Sequence, residues 1–158
     1  MLLHFLRHAD AGDPEAWTGP DAARPLSDKG RKQAKRLGEH LAAIGFEADV
    51  FITSPKIRAA QTAEIVAEPL RTKVSIDERL AGGLEIDALD AVLADAGDPG
   101  RAVIVGHDPD FSELLSELVG MRLEMRKGAF ARTEIERPLR ASGATLRWLL
   151  PPDSLKTR

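Results

Sequence analysis

Two histidines and two arginines carry most of the chemistry this sequence can offer. Arg7 and His8 end an apolar run (Leu2, Leu3, Phe5, Leu6) and are followed by the turn-rich stretch Ala9 to Pro14. His107 follows another apolar run, Ala102-Val103-Ile104-Val105, across Gly106. Arg58 comes just after Thr53-Ser54-Pro55. A neutral imidazole is a nucleophile with a free lone pair near neutral pH. Flanking guanidinium charges disfavour imidazolium and so hold it neutral. The same guanidinium groups bind phosphoryl oxygens with forked hydrogen bonds and stabilise charge as the group transfers. The chemistry that suits these four side chains is phosphoryl transfer through a phosphohistidine. For Arg7-His8 alone, the plain alternative is a strand end meeting water.

Elements must bring the four together. The run before Arg7 reads as a buried strand, which places Arg7 and His8 at its C-terminal edge, where open α/β sheets bind ligands. Residues 9–26, rich in Pro and Gly, read as a long functional loop with Trp17 pinning it to the body. A helix starts with Ser27 or Asp28 as N-cap, carries Ala34, Leu37, Leu41 and Ile44 on one face, and stops at Gly45. Val50 to Thr53 reads as a second strand. Ser54 as N-cap and Pro55 at the first position would open the next helix, which ends before Pro69. Arg58 would then sit in the opening turns, where the helix dipole disfavours a cation unless an anion binds there too. Val74 to Ile76 reads as a strand, Leu84 to Ala96 as a helix and Gly97 to Gly100 as a turn. The clearest buried strand, 102–105, delivers His107 at its end. A helix over about 111–118 and paired strands at 130–135 and 145–150 follow. The expected fold is α/β: a single layered domain over 1–150, with a mostly parallel central sheet flanked by helices, and a frayed tail at 151–158.

Composition narrows the classes. A chain of 158 residues suffices for a sizeable core, and 43% apolar with 30% charged residues suits a globular protein. The formal charge of −3 supplies no global basic field for nucleic acid or membrane. With no cysteine, thiol nucleophiles and thiolate metal sites are excluded. The expectation is a cytoplasmic monomer with no nucleic-acid or membrane partner.

Four stretches in order resemble the histidine phosphatase superfamily, which includes the cofactor-dependent phosphoglycerate mutases. They are Leu6-Arg7-His8-Ala9, Arg24-Pro25-Leu26-Ser27-Asp28-Lys29-Gly30, Thr53 to Ala63 with its S-P-x-x-R-A-x-Q-T-A pattern, and Val105-Gly106-His107-Asp108-Pro109. The short chain, the Arg-Pro-Leu element and the ending Leu146 to Pro152 resemble the compact SixA-type phosphohistidine phosphatases. The resemblance implies that His8 is the phosphorylated nucleophile, with Arg7, Arg58 and His107 completing the catalytic phosphate pocket; Ser54 and Asp108, next to them in sequence, are further candidates for binding the phosphate. It implies no cofactor and a phosphorylated protein as substrate.

One departure matters. Where the mutases carry a carboxylate proton donor, this chain has Arg79-Leu80-Ala81-Gly82-Gly83. Glu78, Asp108 and Asp10 are the possible stand-ins. A missing acid is tolerable when the leaving group is imidazole, whose conjugate acid has a pKa near ~6.5, and far less so for an alkoxide. The rivals are a small-molecule phosphomonoesterase or mutase of the same superfamily, and a phosphate-binding module without turnover. Metal ligation by His4, His8 and His107 is disfavoured by the adjacent arginines. The site is expected to be metal-independent.

Overall fold

The computed structural model describes residues 1–156. In chain order the elements are β1 (Leu2–Arg7), α1 (Asp28–Ala43), β2 (Val50–Thr53), α2 (Ile57–Ala67), β3 (Val74–Ile76), α3 (Ile86–Asp95), β4 (Arg101–Gly106), α4 (Asp110–Val119), β5 (Phe130–Ile135) and β6 (Ala144–Leu150). Short 3-10 turns lie at Pro14–Ala16, Asp21–Ala23, Glu78–Ala81 and Pro152–Leu155. One sheet has the order β3-β2-β4-β1-β5-β6. The strands from β3 to β1 are parallel, and β5 and β6 add on antiparallel at the β1 side. This is a single α/β domain with the mostly parallel sheet expected from the alternation of apolar strands and amphipathic helices.

The central strands are apolar on both faces because helices cover both. Leu3, Phe5, Val50, Ile52, Ala102 and Ile104 pack with Leu89, Leu93, Phe111 and Leu115 of α3 and α4. Leu6, Phe51, Val103 and Val105 pack on the other side with Leu37 and Leu41 of α1 and Ala63 and Val66 of α2. Each fully buried Leu or Phe contributes roughly 1.5–3 kcal/mol. The three strands that matter for chemistry, β2, β4 and β1, are thus the best-buried of the sheet.

Two expectations change. Ser27 is the N-cap of α1, accepting from the Gly30 N–H at 3.0 Å, but Ser54 caps nothing of the sort: α2 begins at Ile57, with Lys56 at the N-cap position. The tail is not frayed from Pro151 onward. It forms the turn at Pro152–Leu155, and Leu155 packs against the α1/α2 side of the core. Residues 157–158 of the expected tail lie outside the described residues. Among the described residues no helix is long and apolar enough to cross a membrane.

Candidate active site

β2, β4 and β1 are neighbours, and their chain exits stay in step past the last ladder pair. The Ser54 N–H donates to the Val105 carbonyl and the His8 N–H to the Gly106 carbonyl, both at 3.0 Å. Ser54, His107 and His8 therefore emerge side by side at one sheet edge. The imidazole centroids of His8 and His107 are 5.2 Å apart. Arg7 and Arg58 flank them, the first from β1 and the second from the opening turn of α2. All four expected residues are brought together.

The hydrogen bonds orient each ring. His8 Nδ1 is 2.7 Å from the Ala9 carbonyl, which only accepts, so Nδ1 holds the proton and Nε2 holds the lone pair. Burial, opposed by that hydrogen bond and reinforced by the charges of Arg58, Arg7 and Lys127, lowers the His8 pKa to about 4. Burial, neighbouring His8, Arg58 and Lys56 lower that of His107 to about 3, with Asp21 opposing. Both rings are neutral at neutral pH.

Ser54 serves His107. Its Oγ lies 2.8 Å from His107 Nε2 and accepts from the Lys56 N–H at 3.2 Å. An oxygen already accepting from the main chain can give its own O–H to Nε2, and in that tautomer the proton of His107 lies on Nδ1. That buried Nδ1 has no partner, and neither do the buried Nε atoms of Arg7 and Arg58.

The expected stand-in acids are elsewhere or otherwise engaged. Asp108 was expected as a phosphate-site residue or proton donor. It accepts from the Ser112 N–H at 3.0 Å and the Ser112 hydroxyl at 2.6 Å, and faces Arg7 NH1 at 3.5 Å, beside the site. It steadies the start of α4 and the end of Arg7. Asp10 accepts from the Ser27 hydroxyl at 2.5 Å and the Gly12 N–H at 3.2 Å, and these bonds with the nearby Lys127 hold its carboxyl below the usual range. Glu78 is exposed, in the turn after β3.

Sequence reasoning missed two residues here. Asp21, in the 9–26 loop, accepts from Arg58 NH2 through Oδ2 and from NH1 through its carbonyl, each at 2.9 Å. Thr62 donates to the Arg58 carbonyl at 2.7 Å and accepts from the Ala9 N–H at 3.1 Å, tying α2 to the chain beside His8. Thr62 stood in a motif already singled out. Asp21 gave no signal beyond being a turn residue. Trp17, expected to pin the loop to the body, is 37% exposed, and its indole N–H donates to the Pro20 carbonyl of its own loop.

The loop is anchored at its root instead. The Asp10 carbonyl accepts from the Ser27 N–H at 3.0 Å, the Asp10 N–H donates to Gln33 at 3.0 Å, and the Leu26 N–H donates to Gln61 at 2.9 Å. Gly30 makes this possible: a Cβ there would lie 1.9 Å from the Asp10 carbonyl oxygen.

The metal reading of the histidines has no geometry behind it. His4 is wholly buried, with Nδ1 2.9 Å from the Ala102 carbonyl and Nε2 accepting from Arg132 Nε at 3.0 Å. Among the described residues no group of three potential ligand side chains is placed to hold a metal ion.

An α/β domain of this strand order, with this edge, has the phosphoglycerate mutase-like fold. The chain belongs to the histidine phosphatase superfamily: the sequence profile of its branch 1 matches residues 3–91. It is 36% identical over 116 residues to an uncharacterized protein of Picosynechococcus sp., covering 72% of this chain and 70% of that one. It is 32% identical over 103 residues to an 8-oxo-(d)GTP phosphatase of Mycolicibacterium smegmatis, covering 63% of this chain but 31% of that protein. The solved structure of the protein histidine phosphatase SixA complexed with tungstate superposes with a TM-score of 0.85, at 22% identity, covering 99% of this chain and all of that one. At that identity the superposition speaks for the fold.

Proposed function

We propose that this chain is a metal-independent phosphatase working through a phosphohistidine on His8, and that its substrate is phosphohistidine in a protein partner. One observation carries the phosphatase reading: the buried Nε atoms of Arg7 and Arg58 and the buried Nδ1 of His107 all lack partners around a histidine whose lone pair is on Nε2. A buried donor without an acceptor costs about 1–3 kcal/mol, and phosphoryl oxygens would satisfy all three at once.

The steps follow from the tautomer. His8 Nε2 attacks phosphorus while the bond to the leaving atom breaks and its electron pair leaves with that atom. The Ala9 carbonyl, accepting from Nδ1–H, stabilises the cationic phosphohistidine. Water then attacks phosphorus, the P–Nε2 bond breaks, and neutral His8 is regenerated with orthophosphate. Arg7, Arg58 and His107 hold the equatorial oxygens through both steps.

The choice of phosphohistidine rests on the leaving group. Asp10 and Asp108 are occupied as acceptors, Glu78 is exposed, and the Arg58 guanidinium holds the Asp21 carboxyl well below the usual range. With Asp10, Asp21 and Asp108 engaged as acceptors and Glu78 out in solvent, a leaving group needing little protonation is favoured. The exposed Ile57 and Ile76, at the start of α2 and the end of β3, give a protein partner apolar surface on the same side of the sheet. Turnover of a phosphohistidine peptide should be compared with that of phosphoglycerate, sugar phosphates and a nucleoside triphosphate. Faster turnover of the small esters would replace this reading with the small-molecule phosphomonoesterase or mutase. Binding of phosphate with no turnover and no label trapped on His8 would leave only a phosphate-binding module.

A further inference from the structure

Arg7 and Arg58 are held by matching clamps. Arg7 gives NH1 to the Met125 carbonyl at 2.8 Å and points it at Asp108 Oδ2 at 3.5 Å. Arg58 gives NH1 to the Asp21 carbonyl and NH2 to Asp21 Oδ2, both at 2.9 Å. In each case a carboxylate and a main-chain carbonyl hold the guanidinium end, through NH1 alone in Arg7 and through both terminal nitrogens in Arg58, and in each case the buried Nε is left over. The Asp21 clamp is itself braced. Its Oδ1 lies 3.5 Å from Arg24 NH2, and buried Arg24 donates through NH1 to the Ala11 carbonyl at 2.7 Å.

We propose that Asp21 is a positioning residue for phosphoryl transfer, acting through Arg58 by fixing the guanidinium plane so that its Nε edge is presented to the phosphoryl group. The proposal rests on reading His8 as the phosphoryl acceptor. An arginine side chain has many rotamers, and a forked bond to phosphoryl oxygens is strong only when the plane is already aimed. Asp21 touches neither nucleophile nor leaving group in this role. Its negative charge beside the pocket is offset by Arg58, Arg24 and Lys56. The β1–α1 loop thereby reaches the chemistry through one side chain.

The sign of the effect separates this role from the two others a carboxylate could have here. Orthophosphate binding to the full chain should be measured by calorimetry for wild type, Asp21→Asn, Asp21→Ala, Arg58→Ala and Asp21→Ala/Arg58→Ala. Steady-state turnover and melting temperature should be followed alongside. Asp21→Ala is expected to weaken orthophosphate binding about tenfold, as loss of a charged hydrogen-bond partner does, and to lower kcat/KM at least as much. Asp21→Asn, whose amide oxygen still accepts from NH2, should recover part of both. In the Arg58→Ala background the same substitution should change binding by less than about twofold, because the partner it acts through is gone.

Tighter phosphate binding in Asp21→Asn would overturn the proposal and make Asp21 a competitor for Arg58. Unchanged binding with a loss confined to substrates of basic leaving group would overturn it in favour of a proton donor. A lowered melting temperature with unchanged phosphate affinity would reduce Asp21 to a structural contact. If wild type binds orthophosphate but turns over no phosphoryl substrate, the phosphatase reading fails, while the binding comparison still decides the role of Asp21.

Discussion

His8 and His107 face each other at the ends of adjacent parallel strands, their ring centroids 5.2 Å apart and their planes inclined at 51°. Two imidazolium ions at that distance would repel strongly, so the pair discourages protonation of either ring beyond what burial already does. The proximity also divides the labour. His8 keeps its proton on Nδ1 and attacks with Nε2, while Ser54 engages His107 Nε2 and leaves Nδ1 to donate.

Replacing His8 with Ala should abolish turnover and phosphoenzyme formation while the fold survives. The lost ring makes one hydrogen bond, to the adjacent Ala9 carbonyl, and the cradle of Arg7, Arg58 and His107 stays in place. Orthophosphate binding should therefore persist within about tenfold of wild type. Label still trapped on the mutant in acid-labile, alkali-stable form would place the phosphohistidine on another residue.

Chelation should leave activity unchanged, because two guanidinium groups already bring the positive charge a divalent ion would supply. The check is turnover before and after exhaustive EDTA dialysis. Loss restored by one particular divalent ion would contradict it.

The leaving-group dependence is the next expectation. On aryl phosphates of graded phenol pKa, wild type should show a steep decline as the phenol becomes more basic, with alkyl phosphates nearly inert. Glu78→Gln, Asp10→Asn and Asp108→Asn should show no selective loss on the poor leaving groups, since Asp10 and Asp108 are engaged as acceptors and Glu78 stands out in solvent. A shallow wild-type slope that steepens in one of them would name the acid and weaken the case for phosphohistidine.

Stability should fall as pH drops from about 6.5 toward 4. Burial lowers His4 and His8 to about 4 and His107 to about 3, while the unfolded chain titrates near ~6.5. In that window the unfolded state binds more protons, so acid favours unfolding, by at most about 1.4 kcal/mol per pH unit for each histidine. Above ~6.5 the three contribute no slope. Urea midpoints at pH 5 and 7 test it, and equal midpoints would mean the rings are not held neutral.

Much of this site was legible because its residues terminate apolar strands. Arg7-His8 and Gly106-His107 stand where buried runs stop, and a parallel sheet carries such ends to one edge. Ser54 was legible as important but not in its role. Ser-Pro is the same signal whether the serine caps a helix or the chain makes one more turn before Ile57, and only tertiary placement beside His107 separates the two. Asp21 was not legible, because a Pro- and Gly-rich loop has no periodicity from which a side chain's direction could be read. Asp108 stands beside Arg7, but its bonds to Ser112 could not be read from its place after His107, because proximity in sequence says nothing of which side chain of α4 turns toward it. The tail was read as loose because its turn depends on packing across the chain.

The way the β1–α1 loop is rooted has a consequence for how this domain can change. The chain leaving His8 is fastened to the start of α1 through Asp10, Ser27, Gln33 and the bare Cα of Gly30 before residues 12–20 begin. A longer or shorter insert between Gly12 and Pro20 would start and end beyond that rivet, which holds the chain next to the nucleophile. Those nine or so positions are a graft site: specificity can be exchanged there like a tool head, provided the new segment returns an Asp21 to Arg58.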